Sequence, residues 1–135
     1  MLRHHEITIR PRYHETDAQG HVHHATYLQY FELGRVEQLR AGGIEYAEME
    51  RDGTHLVVSD VSCRYYQPCR FGDTLRLAIE TVSARGARIR HAYRLYRGEE
   101  LLAEGETTIG CVNGNGNARR LPEWLGGTPP RAEKE

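Results

Sequence analysis

One stretch of this chain repeats its apolar residues every three or four positions, and the four segments after it repeat theirs every two. From His24 to Ala41, Tyr27, Leu28, Phe31, Arg35, Val36 and Leu39 recur at helical spacing, with Gln29, Glu32, Glu37 and Gln38 between them. This predicts an amphipathic helix of about eighteen residues, stopped by Gly42-Gly43. Small residues on its stripe, Ala25 and Gly34, let it lie close to a sheet. Ile44 to Gly53 is less regular and is expected to hold a short helical turn.

Period two governs the rest. Glu6–Tyr13 alternates before the helix, with Pro11 expected at an edge or bulge. After it, His55–Tyr66 puts Val57, Val61, Cys63 and Tyr65 on one face. Thr74–Val82 presents Leu75, Leu77 and Ile79, Arg88–Arg97 presents Ile89, His91, Tyr93 and Leu95, and Leu101–Val112 presents Leu101, Ala103, Gly105, Thr107 and Ile109. Phe71-Gly72-Asp73, Arg85-Gly86 and Arg97-Gly98-Glu99 are turn chemistry, so the last four strands are expected to run as an antiparallel meander. The order β-α-β-β-β-β defines an α+β domain with a five-stranded antiparallel sheet and one long helix. A single helix covers one face, so a second copy of the chain is expected to bury what remains, making a homo-oligomer.

Length and composition narrow the class. With 135 residues the chain suits one domain, expected over 1–125, with 126–135 as a disordered tail. Its 18 basic and 19 acidic residues leave a net charge of -1, which gives no general attraction to nucleic acid. No stretch is apolar enough for a membrane span, and no secretory h-region opens the chain. Cys63, Cys69 and Cys111 are odd in number and lack C-x-x-C spacing, so reduced thiols and a cytoplasmic location are expected.

The chemistry concentrates in His14-Glu15-Thr16-Asp17-Ala18-Gln19-Gly20-His21-Val22-His23-His24-Ala25-Thr26-Tyr27. A carboxylate precedes a helix by several residues, with a glycine between them that permits a sharp turn. The helix start offers free backbone N–H groups and partial positive charge, which can polarise a carbonyl and hold an oxyanion. A nearby carboxylate can attack it or activate water. On these residues alone, Asp17 as a mere turn cap is as good a reading. His14, His21, His23 and His24 lack the i, i+4 pairing of a zinc hydrolase, so no metal is expected. No G-x-G-x-x-G, G-x-S-x-G or P-loop is present. His91 on its sheet face is expected to be hydrogen-bonded. Arg85, Arg88, Arg90, Arg94 and Arg97 either hold phosphates or form a solvated face, and the residues do not choose.

Residues 10–41, from Arg-Pro-Arg-Tyr-His-Glu-Thr-Asp through Tyr27-Leu28 to Ala41, resemble the signature of 4-hydroxybenzoyl-CoA thioesterase-like hotdog proteins, closest to the Tol–Pal-associated short acyl-CoA thioesterases. Val57-Val58, Tyr65-Tyr66-Gln67-Pro68, Phe71-Gly72-Asp73-Thr74-Leu75 and Arg120-Leu121-Pro122 also fit, so the resemblance spans residue 5 to about 125. It implies a hotdog fold in which the sheet wraps the long helix, and a site shared between two subunits of a homodimer that assembles into a homotetramer. It implies an acyl-CoA thioesterase with Asp17 as nucleophile or general base and His24 at the helix start polarising the thioester carbonyl. The substrate-binding residues so implied are Gly20, His23, Tyr27, Val58 and Ser59, with Arg88 and Arg90 for coenzyme A phosphates. No cofactor is implied beyond the coenzyme A of the substrate, which is an acyl-CoA or acyl-carrier-protein thioester. His21 and His23 stand where the family more often has an apolar and an aromatic residue, and Cys69 replaces a frequent alanine. A hydratase acting on an enoyl thioester and a non-catalytic acyl binder are the alternatives. Hotdog hydratases space Asp and His about five apart, against seven here.

Overall fold

The computed structural model describes residues 2–126. Strand β1 (His4–Ile9) leads through a 3-10 turn at Tyr13–Glu15 to helix α1 (Thr26–Ala41) and the short α2 (Tyr46–Arg51). Strands β2 (His55–Tyr65), β3 (Leu75–Arg85), β4 (Arg88–Arg97) and β5 (Glu100–Val112) follow, and a last 3-10 turn lies at Glu123–Leu125. The expected tail lies, from residue 127 on, outside the described residues. Among those described, no helix is long and apolar enough to cross a membrane.

All neighbours in the sheet are antiparallel, in the order β1-β3-β4-β5-β2. The meander therefore covers only β3 to β5. The tight turns at Arg85-Gly86 and Arg97-Gly98 make hairpins as expected, but residues 66–74 carry the chain across the sheet, leaving β2 on the edge beside β5. Phe71-Gly72-Asp73 is a turn within that crossover and joins no hairpin. Strand β1 also stops before Pro11, so the proline interrupts no ladder.

Packing of α1 on the sheet is set by two glycines. A Cβ on Gly34 would come within 2.8 Å of Ile79 and Leu77 on β3. One on Gly105 would fall 2.6 Å from the Ser62 carbonyl oxygen and into the Phe31 ring. Phe31 fills the hollow over Gly105 and stacks on Tyr93 at 4.3 Å between centroids. The helix buries Tyr27, Tyr30, Phe31, Gly34, Gln38 and Leu39, whereas Leu28 is turned outward. Gln38 lies inside the stripe because its amide has partners there. It donates to the Arg3 carbonyl at 3.3 Å and accepts from Thr81 Oγ1 at 3.3 Å.

Irregularities in the ladders shift the faces that simple alternation predicts. On β2 the register slips between Val58 and Asp60, so Leu56 and Val58 face the helix before the slip and Cys63 and Tyr65 after it, while Val57 points away. On β5 the fully buried residue is Leu102, with Leu101 only half-buried, because the register slips there against Leu95/Tyr96. Such bulges add curvature, which lets a sheet bend round a helix.

The far face of the sheet is charged rather than apolar. Arg76 pairs with Glu6 at 3.1 Å, Arg94 with Glu104 at 3.6 Å and Arg90 with Glu106 at 4.0 Å. The uncovered apolar surface lies instead along the edge strand, where Val57, Val58, Val61 and Tyr65 are 48%, 49%, 46% and 44% exposed. Replacing Gly105 with alanine should lower stability by about 1–3 kcal/mol, the usual cost of forcing a methyl into a packed core. Chemical denaturation of the variant measures this, and an unchanged midpoint would mean that Phe31 and Ser62 move aside freely.

Candidate active site

Between β1 and α1 the chain makes a compact loop built on two carboxylates. Glu15 is the clamp. One of its carboxylate oxygens accepts from the Arg12 N–H at 2.9 Å and from the Tyr30 hydroxyl at 2.7 Å, and its carbonyl accepts from the His23 N–H at 2.8 Å. This ties the loop's two arms together and to the helix. The Val22 N–H then donates to the Cys69 carbonyl at 2.8 Å, joining the loop to the crossover segment.

Asp17 stands at the tip. Its N–H donates to the His21 carbonyl at 2.7 Å, and its carbonyl accepts from Gly20 at 3.0 Å. Gly20 adopts φ +83, a conformation that would strain any other residue, and so permits the reversal. Oδ1 of Asp17 accepts from the Gln19 N–H at 2.9 Å and the His21 N–H at 3.1 Å. Oδ2 has no protein donor among the described residues. Partial loss of solvent pushes the Asp17 pKa upward, but the two amide hydrogen bonds, with the nearby His21 and His23 rings, outweigh it and hold the carboxyl below its ordinary 3.8. The carboxylate thus caps the turn with one oxygen and keeps the other free.

The helix start supplies donors. Ala25 N–H donates to His23 Nδ1 at 3.1 Å, Thr26 N–H to the His23 carbonyl at 2.9 Å and Leu28 N–H to the Ala25 carbonyl at 3.2 Å. This leaves the His24 and Tyr27 amides without an acceptor among the described residues, at the positive end of α1. The His23 ring thus holds the turn that enters the helix, and it stacks on His24 at 4.3 Å. The helix itself begins at Thr26, two residues later than the periodicity suggests, because His24 and Ala25 form the turn that enters it.

Asp17, His21, Val22, His24, Tyr27, Tyr65, Tyr66, Gln67 and Pro68 line an open pocket of about 340 Å³. Tyr65 donates its hydroxyl to the His24 carbonyl at 2.7 Å and meets the Tyr27 ring edge-on at 4.8 Å. Tyr27 in turn shares a hydrogen bond with the Cys69 thiol at 3.3 Å. Burial pushes the Cys69 pKa up, which favours the neutral thiol. Arg97 steadies the crossover wall by donating to the Pro68 carbonyl at 3.3 Å and to Asp73 at 2.9 Å.

Of the residues expected at the site, Asp17, Gly20, His24 and Tyr27 come together in one protomer, with His23 behind them holding the turn. Val58 and Ser59 lie at the far half of β2, where Ser59 is the residue at the register slip and donates to the Thr108 carbonyl at 3.2 Å. Arg88 and Arg90 lie towards the start of β4, whereas Arg97, at its end, marks the Asp17 pocket. Nine residue-to-residue steps along the strand separate Arg88 from Arg97, about 30 Å. Glu15, Tyr30 and the walls Tyr65–Pro68 had no place in the expected set. The Tyr-Tyr-Gln-Pro run was noticeable in sequence, but only the crossover brings it to Asp17. Among the described residues, no group of three His, Cys, Asp or Glu side chains converges.

Residues 11–127 match the thioesterase-like superfamily. The acyl-CoA thioester hydrolase YbgC of Escherichia coli O157:H7 is 33% identical over 78% of this chain and 79% of its own, and the acyl-CoA thioesterase YbgC of Haemophilus influenzae is 31% identical over 78% of each. The crystal structure of TT1821 from Thermus thermophilus superposes with a TM-score of 0.83 at 33% identity, covering 87% of this chain and 90% of that one. The DHNA-CoA thioesterase of Staphylococcus aureus, at 24% identity, shares the fold with a TM-score of 0.86 over 93% of this chain and 88% of that one. The chain belongs to the thioesterase-like superfamily and has its hotdog fold. Thioester hydrolysis is the enzyme class in which these relatives place it. Removing the Glu15 clamp tests the loop's architecture: Tyr30→Phe should cost about 1.5–3 kcal/mol, the scale of a hydrogen bond to a charged group. Denaturant titration reads it, and a loss under 0.5 kcal/mol, roughly the noise of a surface change, would show that Glu15 does not depend on the phenol.

Proposed function

We propose that the chain hydrolyses acyl-CoA thioesters at Asp17. The observation that carries this reading is the pairing of a free Asp17 Oδ2 with unbonded amides at the start of α1, both on one pocket. The thioester carbonyl oxygen accepts from the His24 N–H, where charge develops as the carbonyl carbon becomes tetrahedral. Asp17 either attacks that carbon itself or takes a proton from the attacking water. The C–S bond then breaks and the coenzyme A thiolate leaves and takes up a proton; if water attacked, the free acid remains, and if Asp17 attacked, a second step in which water opens the acyl-aspartyl anhydride releases the acid and restores the carboxylate. The names of the similar YbgC proteins support acyl-CoA as the substrate, and reduced thiols at Cys63, Cys69 and Cys111 fit the cytoplasm.

The working unit is a dimer joined through β2. An exposed apolar edge strand is a ready surface for pairing with a second copy. Tyr65 and Tyr66 line the Asp17 pocket and are exposed at this edge, so a partner along it would cover them. Further pairing of dimers would use the charged outer face, which also offers Arg88 and Arg90 to coenzyme A phosphates.

Asp17→Asn keeps the turn-capping oxygen and removes the charge, so kcat for thiol release should fall by about 10²-fold or more with fold and assembly intact. Near-normal turnover would remove Asp17 from the reaction. Crotonyl-CoA separates hydrolysis from hydration: thiol release is expected, whereas loss of enoyl absorbance without thiol would make the chain a hydratase. Single turnover in ¹⁸O-water gives a labelled acid if Asp17 activates water, whereas an unlabelled first product shows that Asp17 attacks the thioester and that water then opens the anhydride at the Asp17 carbonyl. Because the Asp17 pKa lies below 3.8, kcat/KM should have no acid limb assignable to it between pH 5 and 8. Val61→Asp should give monomers by sedimentation with loss of turnover. A fully active dimeric variant would rule out pairing through this edge.

A further inference from the structure

Beside the Asp17 pocket, two surface turns far apart in sequence meet through aromatic side chains. The Tyr13 and Phe71 rings stand edge-on, their centroids 5.7 Å apart and their planes at 90°. Both are large, yet Tyr13 is 76% exposed and Phe71 59%. Neither turn is loose. The Glu15 carboxylate ties the first through the Arg12 N–H, and the Thr16 hydroxyl donates to the Tyr13 carbonyl at 2.7 Å. The second closes on Asp73, which accepts from the Arg70 N–H at 2.8 Å and is itself bound by Arg97 at 2.9 Å. Gly72, at φ +97, takes the conformation that this reversal needs. Rings held out on fixed turns lose little further freedom when a ligand stacks on them.

Each ring follows an arginine in the chain, Arg12 before Tyr13 and Arg70 before Phe71. Both arginines are exposed. No carboxylate among the described residues lies within ion-pair distance of either guanidinium, unlike Arg76, Arg90 and Arg94 on the outer face. Arg70 is also placed. Its backbone bridges to that of His21, and its Nη2 lies 3.2 Å from His21 Nε2, to which a guanidinium can only donate. His21 lines the Asp17 pocket, so this surface begins at the pocket wall.

We propose that these two turns seat the nucleotide of coenzyme A, with Arg70 on its diphosphate and Phe71 and Tyr13 against its adenine. The inference rests on the thioesterase reading above and adds where that substrate's handle is held. Phosphates match the planar fork of a guanidinium, which presents several N–H donors at once. Adenine offers a π-face, and two edge-on rings make a corner where a base can stack on one and meet the other with its edge. An arginine next to an aromatic ring, twice over, suits a ligand whose phosphates adjoin its base. The pantetheine arm links both to the thioester, and Arg70 stands where that arm would leave the pocket past His21. Arg88 and Arg90 compete for the same phosphates, but Arg90 is drawn to Glu106 at 4.0 Å, and both lie at the end of β4 away from Arg97. A nucleotide held far from the reacting carbon lowers KM and leaves the chemical step to Asp17.

The test uses the full chain and one acyl group on two handles, coenzyme A and pantetheine, which lacks the nucleotide. The acyl-CoA should have the higher kcat/KM by about tenfold or more, chiefly through KM. Arg70→Met should cut that ratio by about fivefold to tenfold, and Phe71→Leu, which keeps the bulk and loses the ring, by about threefold. The ratio is the readout because Arg70 touches His21, and any disturbance of the pocket slows both substrates alike. A wild-type ratio near one, or a ratio kept in Arg70→Met and lost in Arg88→Met/Arg90→Met, would overturn the proposal. Calorimetry in the Asp17→Asn background gives an arm that needs no turnover. Free coenzyme A should bind more tightly than pantetheine there, and adding Arg70→Met should remove most of the difference; equal binding of the two would overturn the proposal. Sedimentation of Phe71→Leu should match the wild type, whereas loss of assembly would show that a second chain covers these rings instead. Should the wild type release no thiol from any acyl-CoA, the catalytic reading fails and the calorimetry still decides this one.

Discussion

The close seating of α1 on the sheet is the constraint on which the rest depends. It is possible only because Gly34 presents no side chain to Leu77 and Ile79, and because Gly105 leaves a hollow for Phe31. The stacked pair Phe31–Tyr93 then locks the helix in azimuth as well as in height. With the helix so fixed, Tyr30 reaches Glu15 and the His24 turn reaches Tyr65, so the position of the helix start relative to the Asp17 loop is inherited from the core. The same seating divides the interior. One apolar cluster gathers round Phe31 and Leu95, and another round Leu39 and Ile109. Between them run Gln38, Thr81, His91 and Thr107, a polar seam across three strands.

Much of this was legible in the chain itself. The helical period, the number of strands and the hairpins at Gly86 and Gly98 are local properties, and they appear where periodicity and turn chemistry put them. The Asp17-to-His24 segment was legible for the same reason, since both halves of the pocket lie within one short stretch. What failed to show was non-local. Nothing in residues 66–74 says that the chain crosses to the far side of the sheet, so β2 read as a neighbour of β3 and the Tyr65–Pro68 wall had no site to belong to. The bulges are equally silent. One extra residue at Ser59 or Leu102 inverts the facing of all that follows, and period counting cannot detect it.

The surface proposed for a second copy differs in physical character from the one expected. A bare outer face was expected to need cover, but that face carries the pairs Arg76–Glu6, Arg94–Glu104 and Arg90–Glu106 and is stable against water. The uncovered apolar surface lies at the edge instead, where half-exposed valines and tyrosines run together. An edge of this kind can be satisfied by extending the sheet, the pairing proposed above. His91 changed in a similar way: a hydrogen-bonded histidine was expected on that strand, and it is instead a buried ring with one nitrogen unspent.

The division of labour within the Asp17 carboxylate has a consequence for tolerance. One oxygen ties Gln19 and His21 into the turn, so the reach of the side chain is fixed by the loop rather than by the substrate. A longer acid could carry the same charge but would not span the same knot. The tie also depends on that charge: a carboxyl whose folded pKa lies below its free value lends the turn a stability present above the free value and lost as pH falls through the folded one. Acid would therefore do more than silence the group. It would loosen the turn that holds it, so that loss of charge and loss of local order share a single proton.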